Sequence, residues 1–411
     1  MIHSSNWKPK VFPYKGTANP TEIDRLQDMT GSVTINRTKI EEIGRSGIVD
    51  WRVGIPAVSL TLRQLEYGSI EFWNQLANKS LSNTDINLTD FKTSMVDIAG
   101  YKTDDDDTFK GTVWYPKFRL SGFGISIGDP DSLIERSFTL VGEDEIQWQG
   151  DNKYLIYLTK TCGSGESGDV SITIGSGDYS NYPAPVEDPD NSGTYILRVL
   201  RVRSGTTTEL TSSSSSGQYE YDDSTQTLTF HGAQPDDVYK VYYTASSYIT
   251  GESPFTANDS DLAGISADSC SIYLVSASNY VYRLQNVAID VTLDRFDVKE
   301  IGNDEVVARG ARDITVTVTL GRILEQLTPE EVLRGVSSSY GKIDIRKFSD
   351  DISLIVKIYS DADKDTFKIG YKFTDLAPTG LDAGVPLNDY ITRGVTLTGE
   401  EATITNDESS L

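Results

Sequence analysis

Two acidic phrases are the first residues in this chain with the types and spacing to do chemistry. Y-K-T-D-D-D-D-T-F-K occupies 101–110, and Y-S-D-A-D-K-D-T-F-K occupies 359–368. Asp104, Asp105, Asp106 and Asp107 run unbroken, while Asp361, Asp363 and Asp365 alternate as at the start of a calcium loop. Such a loop also needs a glycine at its sixth position and a glutamate at its twelfth. From Asp361 those positions are Thr366 and Lys372; from Asp104 they are Phe109 and Tyr115. The calcium pattern fails twice, and neither metal nor cofactor is expected. Hairpin tips are the better reading, because aspartates bond the local backbone and mutually repelling charges stay in water.

Other catalytic signatures are missing as well. The histidines are His3 and His231, and neither has a nucleophile, base or ligand set nearby in sequence. No G-x-S-x-G elbow, H-E-x-x-H helix or phosphate-binding loop is present; Gly163–Gly168 is glycine-rich but lacks the Lys-Ser/Thr that follows in such a loop. A paired-carboxylate glycosidase is defined by spacing in three dimensions, and 61 acidic residues supply suggestive pairs by chance alone. An enzyme is not expected. Cys162 and Cys270 leave a single disulfide open as a possibility.

The balance of 37 basic against 61 acidic residues gives a net charge of −24 in 411 residues. That opposes tight nucleic-acid binding, which needs cationic contacts, but not the passage of DNA nearby. The N-terminal M-I-H-S-S-N-W-K-P-K has no signal-like apolar core, and no stretch approaches a membrane span, so a soluble chain without a membrane partner is expected. Abundant glycine and tyrosine, with frequent alternating apolar runs, predict a mainly β protein.

The repetition of the acidic phrase extends across the chain. V-T-I-N-R-T-K-I-E-E-I-G (33–44) recurs as V-T-L-D-R-F-D-V-K-E-I-G (291–302), and V-S-L-T-L (58–62) as V-T-V-T-L (316–320). I-E-R-S-F-T-L-V-G-E (134–143) returns as I-T-R-G-V-T-L-T-G-E (391–400). Four blocks in one order at a shift of 258 or 257 predict a duplicated domain. The expected boundaries are 1–160, 161–270 and 271–411.

Within each copy, alternation puts Val33 and Ile35 on one face of a strand, and Val58, Leu60 and Leu62 on one face of the next. Glu42-Ile43-Gly44 and Glu300-Ile301-Gly302 end strands or open loops. A helix over 70–79 carries Phe72, Trp73 and Leu76 as an apolar stripe, with Trp73 as its plug against the sheet. Its counterpart is signalled by Thr328, Pro329 and Glu331 in capping-box order. Strands at 352–359 and 366–373 make a hairpin with an aspartate-rich tip and one wet face; Phe109, Val113 and Tyr115 mark the equivalent in copy one. Residues 161–270 read as short strands joined by Ser/Gly/Asp turns: a small immunoglobulin-like sandwich, or extra strands for the flanking domains.

These blocks resemble the tail tube proteins of long-tailed bacterial and archaeal viruses. The resemblance rests on the strand-then-E-I-G pairs at 33–44 and 291–302, the strand-plus-helix blocks at 58–78 and 316–336, and the R-x-x-T-L-x-G-E endings from Arg136 and Arg393. It covers both repeats and leaves the middle section unassigned. It implies two tandem antiparallel sandwich or barrel domains, each with a short helix. It further implies trimeric, pseudo-hexameric rings stacked around a channel for DNA and a tape-measure protein, in a virion tail assembled in the host cytoplasm. Sheath, baseplate and tail-terminator proteins are the implied neighbours. Glu42, Gly44, Glu300 and Gly302 become ring-to-ring candidates, and Asp104–Asp107, Asp361, Asp363 and Asp365 assembly or lumen candidates. The hairpins would line the barrel, and the loops 44–56 and 302–313 would reach the next ring. A baseplate ring, a capsid decoration, or an acidic surface-layer or adhesin protein are the alternatives.

Overall fold

In the computed structural model of this chain the described residues are 7–14, 20–35, 37–41, 48–104, 108–142, 144–149, 153–252, 263–274, 279–280, 284–299, 306–323, 349, 351–384 and 392–411. Alternation sets the strands, and turn-forming residues set their ends. The first stretch holds β1 (Trp7–Pro13), β2 (Thr21–Glu22), β3 (Leu26–Thr34), β4 (Arg37–Glu41), β5 (Ile48–Val53) and β6 (Ala57–Leu65). Then come the helix α1 (Glu71–Ala77), β7 (Asp85–Asn87), β8 (Val96–Thr103), β9 (Phe109–Ile127), β10 (Glu135–Gly142) and β11 (Ile146–Gln149). The middle stretch holds β12 (Tyr154–Thr161), β13 (Gly168–Thr173), β14 (Ile196–Arg203), β15 (Thr206–Leu210), β16 (Tyr219–Asp222), β17 (Thr227–Ala233) and β18 (Val238–Ala245). The last holds β19 (Cys270–Leu274), β20 (Asn279–Tyr280), β21 (Leu284–Lys299), β22 (Val306–Ile323), β23 (Ile352–Tyr359), β24 (Phe367–Gly384), β25 (Thr392–Gly399) and β26 (Glu401–Thr405). The fold is mainly β, as expected, with several sheets and little helix.

β9 and β24 are long enough to serve two sheets each. Their C-terminal halves lie in one long antiparallel sheet ordered β3-β6-β10-β9-β21-β22-β25-β24. The N-terminal half of β9 belongs to a first side sheet, β2-β1-β8-β9-β11. The N-terminal half of β24 belongs to a second, β20-β19-β23-β24-β26-β7. One continuous apolar core joins all three sheets.

Registers repeat between the two halves, bulges included. Val58 faces Gly142 as Val316 faces Gly399, shifts of 258 and 257. Ser121 is skipped between the pairs Thr139–Gly122 and Leu140–Leu120, and Thr379 between Thr396–Gly380 and Leu397–Pro378. β8 and β23 depart from this: Thr103 faces Phe109, while Tyr359 faces Phe367. The second tip is therefore two residues longer, and Tyr101 and Tyr359, aligned by the repeated phrase, are not equivalent. β4 and β5 pair from Arg37–Val53 to Glu41–Ile48, and β21 with β22 from Arg295–Ala311 to Lys299–Val306. So 48–53 and 306–313 are strands of projecting arms, not the loops expected. In the first arm Gly54 and Pro56 interrupt the strand, since proline donates no ladder bond and biases the residue before it. β22 has no such break.

α1 plugs the core as expected. Every residue after Glu71 is buried, and Asn78 ends the helix in a left-handed turn at φ 57°. The Trp73 ring lies edge-on to Phe123 at 4.7 Å and Phe138 at 4.9 Å, and meets Tyr371 of the second side sheet at 6.1 Å. The counterpart helix at Thr328, Pro329 and Glu331 lies outside the described residues.

The middle strands form two sheets, β12-β18-β14-β15 and β13-β17-β16, around their own apolar core. β12 begins before the expected boundary at 161. The larger sheet docks on the first side sheet through Phe12, Trp114, Leu155, Leu200 and Tyr242. The buried Arg198 pairs with Asp97 there, and Tyr101 donates to the Leu155 carbonyl at 2.7 Å. β8 consequently has both faces covered, which corrects the expected wet face. Cys162 is buried in the middle core, Cys270 lies on β19, and both thiols are free, so the disulfide is not formed.

Trp73→Ala should cost about 3–5 kcal/mol in denaturant unfolding; a loss below about 1 kcal/mol would contradict its role as plug. Lys240 is buried at the same docking face, donating to the Pro13 carbonyl, and burial pushes its pKa from 10.5 down to about 8. Between those values the unfolded chain holds the extra proton, so stability rises with pH across this window. Lys240→Met should remove that rise. Identical pH slopes for both proteins would refute the buried ammonium.

Candidate assembly interface

Two strand edges of the long sheet offer the means for association, and a join inside the chain displays their chemistry. β9 of the first half pairs with β21 of the second, from Gly122–Thr292 to Ile127–Val287. Glycine at 122 is needed sterically: a Cβ there would lie 2.7 Å from the Val291 carbonyl oxygen. At Gly124 a Cβ would lie 2.8 Å from Ser137 Oγ and 3.2 Å from Asp290 Oδ1. The apolar side chains of β21 point into the core, leaving Val291 2% and Leu293 1% exposed.

Just beyond the paired residues, Arg295 fastens the second arm to the first half. Its Nε donates to the Leu120 carbonyl, Nη1 to that of Lys92 and Nη2 to that of Phe91, each at 2.8 Å. Ser121, the bulged residue, follows Leu120; bulges disrupt the ladder and redirect the groups beside them. Arg119 reaches the Arg309 carbonyl from the opposite side. Burial, and then the like charge of Arg119, lower the Arg295 pKa to about 10, so it stays cationic at neutral pH. A second tie is buried in the core: Tyr371 donates to Glu66 at 2.8 Å, and Arg136 lies 3.2 Å from the same oxygen.

At the sheet's ends the same strand types stand open. Among the described residues β3 pairs only with β6, and residues 377–384 of β24 pair only with β25. β3 is the counterpart of β21, and this part of β24 is the counterpart of β9. Val33 is 47% exposed and Ile35 51%, whereas their counterparts Val291 and Leu293 are buried. The face shared by Val33 and Ile35 is therefore exposed, since among the described residues no strand other than β6 pairs with β3. Gly380, the counterpart of Gly122, has only Thr396 near its added Cβ, at 3.3 Å.

The residues singled out from sequence are scattered. Asp104 takes a hydrogen bond from the Thr108 amide at 2.8 Å and pairs with Lys110 at 2.8 Å. Asp361 accepts from the Ser360 hydroxyl at 2.7 Å, which holds its carboxyl below the ordinary aspartate range. Asp363 and Asp365 are exposed. These tips end the hairpins of the two side sheets, at the other end of β9 and β24 from the long sheet. Glu42, Gly44, Asp105, Asp106, Asp107, Glu300 and Gly302 lie outside the described residues. Among the described residues no group of three or more His, Cys, Asp or Glu side chains is arranged to hold a metal, and no helix is long and apolar enough to cross a membrane. Sequence reasoning missed Gly122, Gly380 and Arg295. Their signal was recurrence at a shift of 258, including Arg37 with Arg295.

No family model matches the chain, and no curated protein does. Among solved structures, a chain of the cryo-EM structure of the anti-feeding prophage (AFP) baseplate, 6-fold symmetrised, is similar at 13% identity and a TM-score of 0.24. The match covers 34% of this chain and 92% of that one. This is a weak, partial structural similarity, and a score so low carries no argument about function.

Gly122→Ala should destabilise the folded chain by about 1–3 kcal/mol, because the methyl group meets a backbone oxygen that cannot turn aside. An unchanged unfolding midpoint would mean that β9 and β21 do not approach so closely.

Proposed function

We propose that this chain is the structural subunit of a viral tail tube. Three chains join head to tail, the β24 edge of one pairing with the β3 edge of the next, and close a ring of six pseudo-equivalent units. The carrying observation is that the two open edges are counterparts of the two strands already joined as β9–β21. Transferring that register sets Val33 opposite Leu381, Thr34 opposite Gly380 and Ser32 opposite Asp382. Closure removes the open edges, which otherwise invite irregular association.

In this reading the two halves are tandem tube-type domains, and the long sheet becomes the inner wall. Its face turned away from the core, toward the channel, carries Ser59, Thr61, Ser137, Thr139, Thr317 and Thr319, alternating with core residues. The exposed Asp290 and Asp382 lie at the joints on that wall, where carboxylates repel DNA phosphates and keep the polymer mobile. DNA and a tape-measure protein occupy the channel without sequence-specific contact. The aspartate tips, on the side sheets, are assigned away from this wall. The arms ending in Glu42–Gly44 and Glu300–Gly302 make the ring-to-ring contacts; their exposed Ile40 and Val298, 42% and 41%, support that role. The middle module decorates the outside. Sheath, baseplate and terminator proteins meet the ends of the stack in the virion tail, after assembly in the host cytoplasm.

Electron microscopy of the purified chain across protein and salt concentrations tests this reading. Hollow rings or tubes with threefold or pseudo-sixfold symmetry are expected. Gly380→Ala should leave unfolding almost unchanged yet abolish rings, because its methyl group would strike the Val33 carbonyl of the neighbouring chain. Isolated rings that never stack would favour a baseplate ring, and antibody labelling of heads or fibres instead of the tail shaft would sink the proposal.

A further inference from the structure

Arg37 begins the first arm as Arg295 begins the corresponding segment of the second, and each is opposite an equivalent residue, Val53 or Ala311. Arg295 is partly buried and holds three backbone carbonyls of the other half. Arg37 is exposed, although it is the same residue at the same register. The acceptor side is duplicated too. Leu120, which precedes the bulge at Ser121, corresponds to Pro378, which precedes the bulge at Thr379 on the open edge of β24.

We propose that Arg37 is the lock of the joint between chains, its guanidinium donating to the Pro378 carbonyl of a second copy of this chain. The proposal rests on the head-to-tail pairing above and adds the residue that fastens it. The neighbouring contacts of the in-chain joint are not carried over. Arg119 corresponds to Ala377, and Arg309, whose carbonyl Arg119 holds, corresponds to Trp51. Glu66 and Tyr371 correspond by position to Leu324 and Val113. Arg37 is thus the cationic tie retained between chains. Trp51, 45% exposed, sits on the same arm and faces the smaller side chain of Ala377.

The acceptors are neutral carbonyls, and this separates a lock from general attraction on an acidic chain. Nε and Nη2 of Arg295 both donate to the one Leu120 carbonyl, a two-pronged grip from a planar fork that an ammonium on a flexible stem does not reproduce. Such a tie also weakens little with salt, unlike a pairing of surface charges. Analytical ultracentrifugation of the full chain, with Arg37→Ala, Arg37→Lys and the control Arg63→Ala, an exposed arginine off the arms whose partner Glu135 lies in the same half, reads association directly. Arg37→Ala and Arg37→Lys should each weaken it about 10- to 100-fold per joint, at low and high salt alike, with monomer unfolding unchanged. Arg63→Ala should associate like the wild type. Three results overturn the lock: wild-type association in Arg37→Ala, full rescue by lysine, or a loss that vanishes in high salt. In those cases, rings of wild-type protein leave the edge pairing standing. A wild-type chain that stays monomeric at every concentration removes the edge pairing and the lock together.

Discussion

The pairing of β9 with β21 is the interaction on which the rest of the structure depends. A four-stranded unit alone has two open edges, and strand edges carry unpaired amides and carbonyls that seek partners. Joining two such units closes one pair of edges and leaves the other pair. It also brings Tyr371 beside Glu66 and Trp73, so one core forms across both halves. Gly122 permits the approach, and Arg295 fixes its extent by holding backbone oxygens that no side-chain rearrangement can withdraw.

The open edges are not simple copies of the closed pair. A joint that forms once, as the chain folds, tolerates buried ions because Arg136 pairs there with Glu66, which also accepts from Tyr371. An edge that waits in water before meeting its partner must not present unpaired buried charge or a long apolar strip. β3 meets that need with Thr30, Gly31, Ser32 and Thr34 around the single Val33, and the net charge of −24 keeps free chains apart.

The outer faces of the two side sheets are finished differently. On the first, the middle module covers β8 and β9 with aromatic rings and the Arg198–Asp97 pair. On the second, the C-terminal residues fold back: Lys357 pairs with Glu408 at 2.8 Å, and Lys372 reaches the Leu411 carbonyl at 3.4 Å. Trp114 and Lys372 occupy the same register position, which explains the contrast, since an indole invites a sheet to stack on it and an ammonium invites carbonyls.

The sequence by itself determined the strands, the repeat and the plug. Alternation in V-S-L-T-L and V-T-V-T-L depends only on neighbouring residues, and Phe72, Trp73 and Leu76 fall on one helical face whatever surrounds them. The aspartate tips were equally legible, because their chemistry is local turn chemistry. Only the tertiary structure decided which strands lie at an edge. Val33 and Val291 sit in nearly the same local sequence; one is exposed and the other buried because β9 covers only the second. Position 258 residues apart also misled once, for the longer second tip separates Tyr359 from Tyr101 although the phrases around them agree. Pairing across hundreds of residues is a property of the assembled sheets, and local pattern carries no record of it until the strands meet.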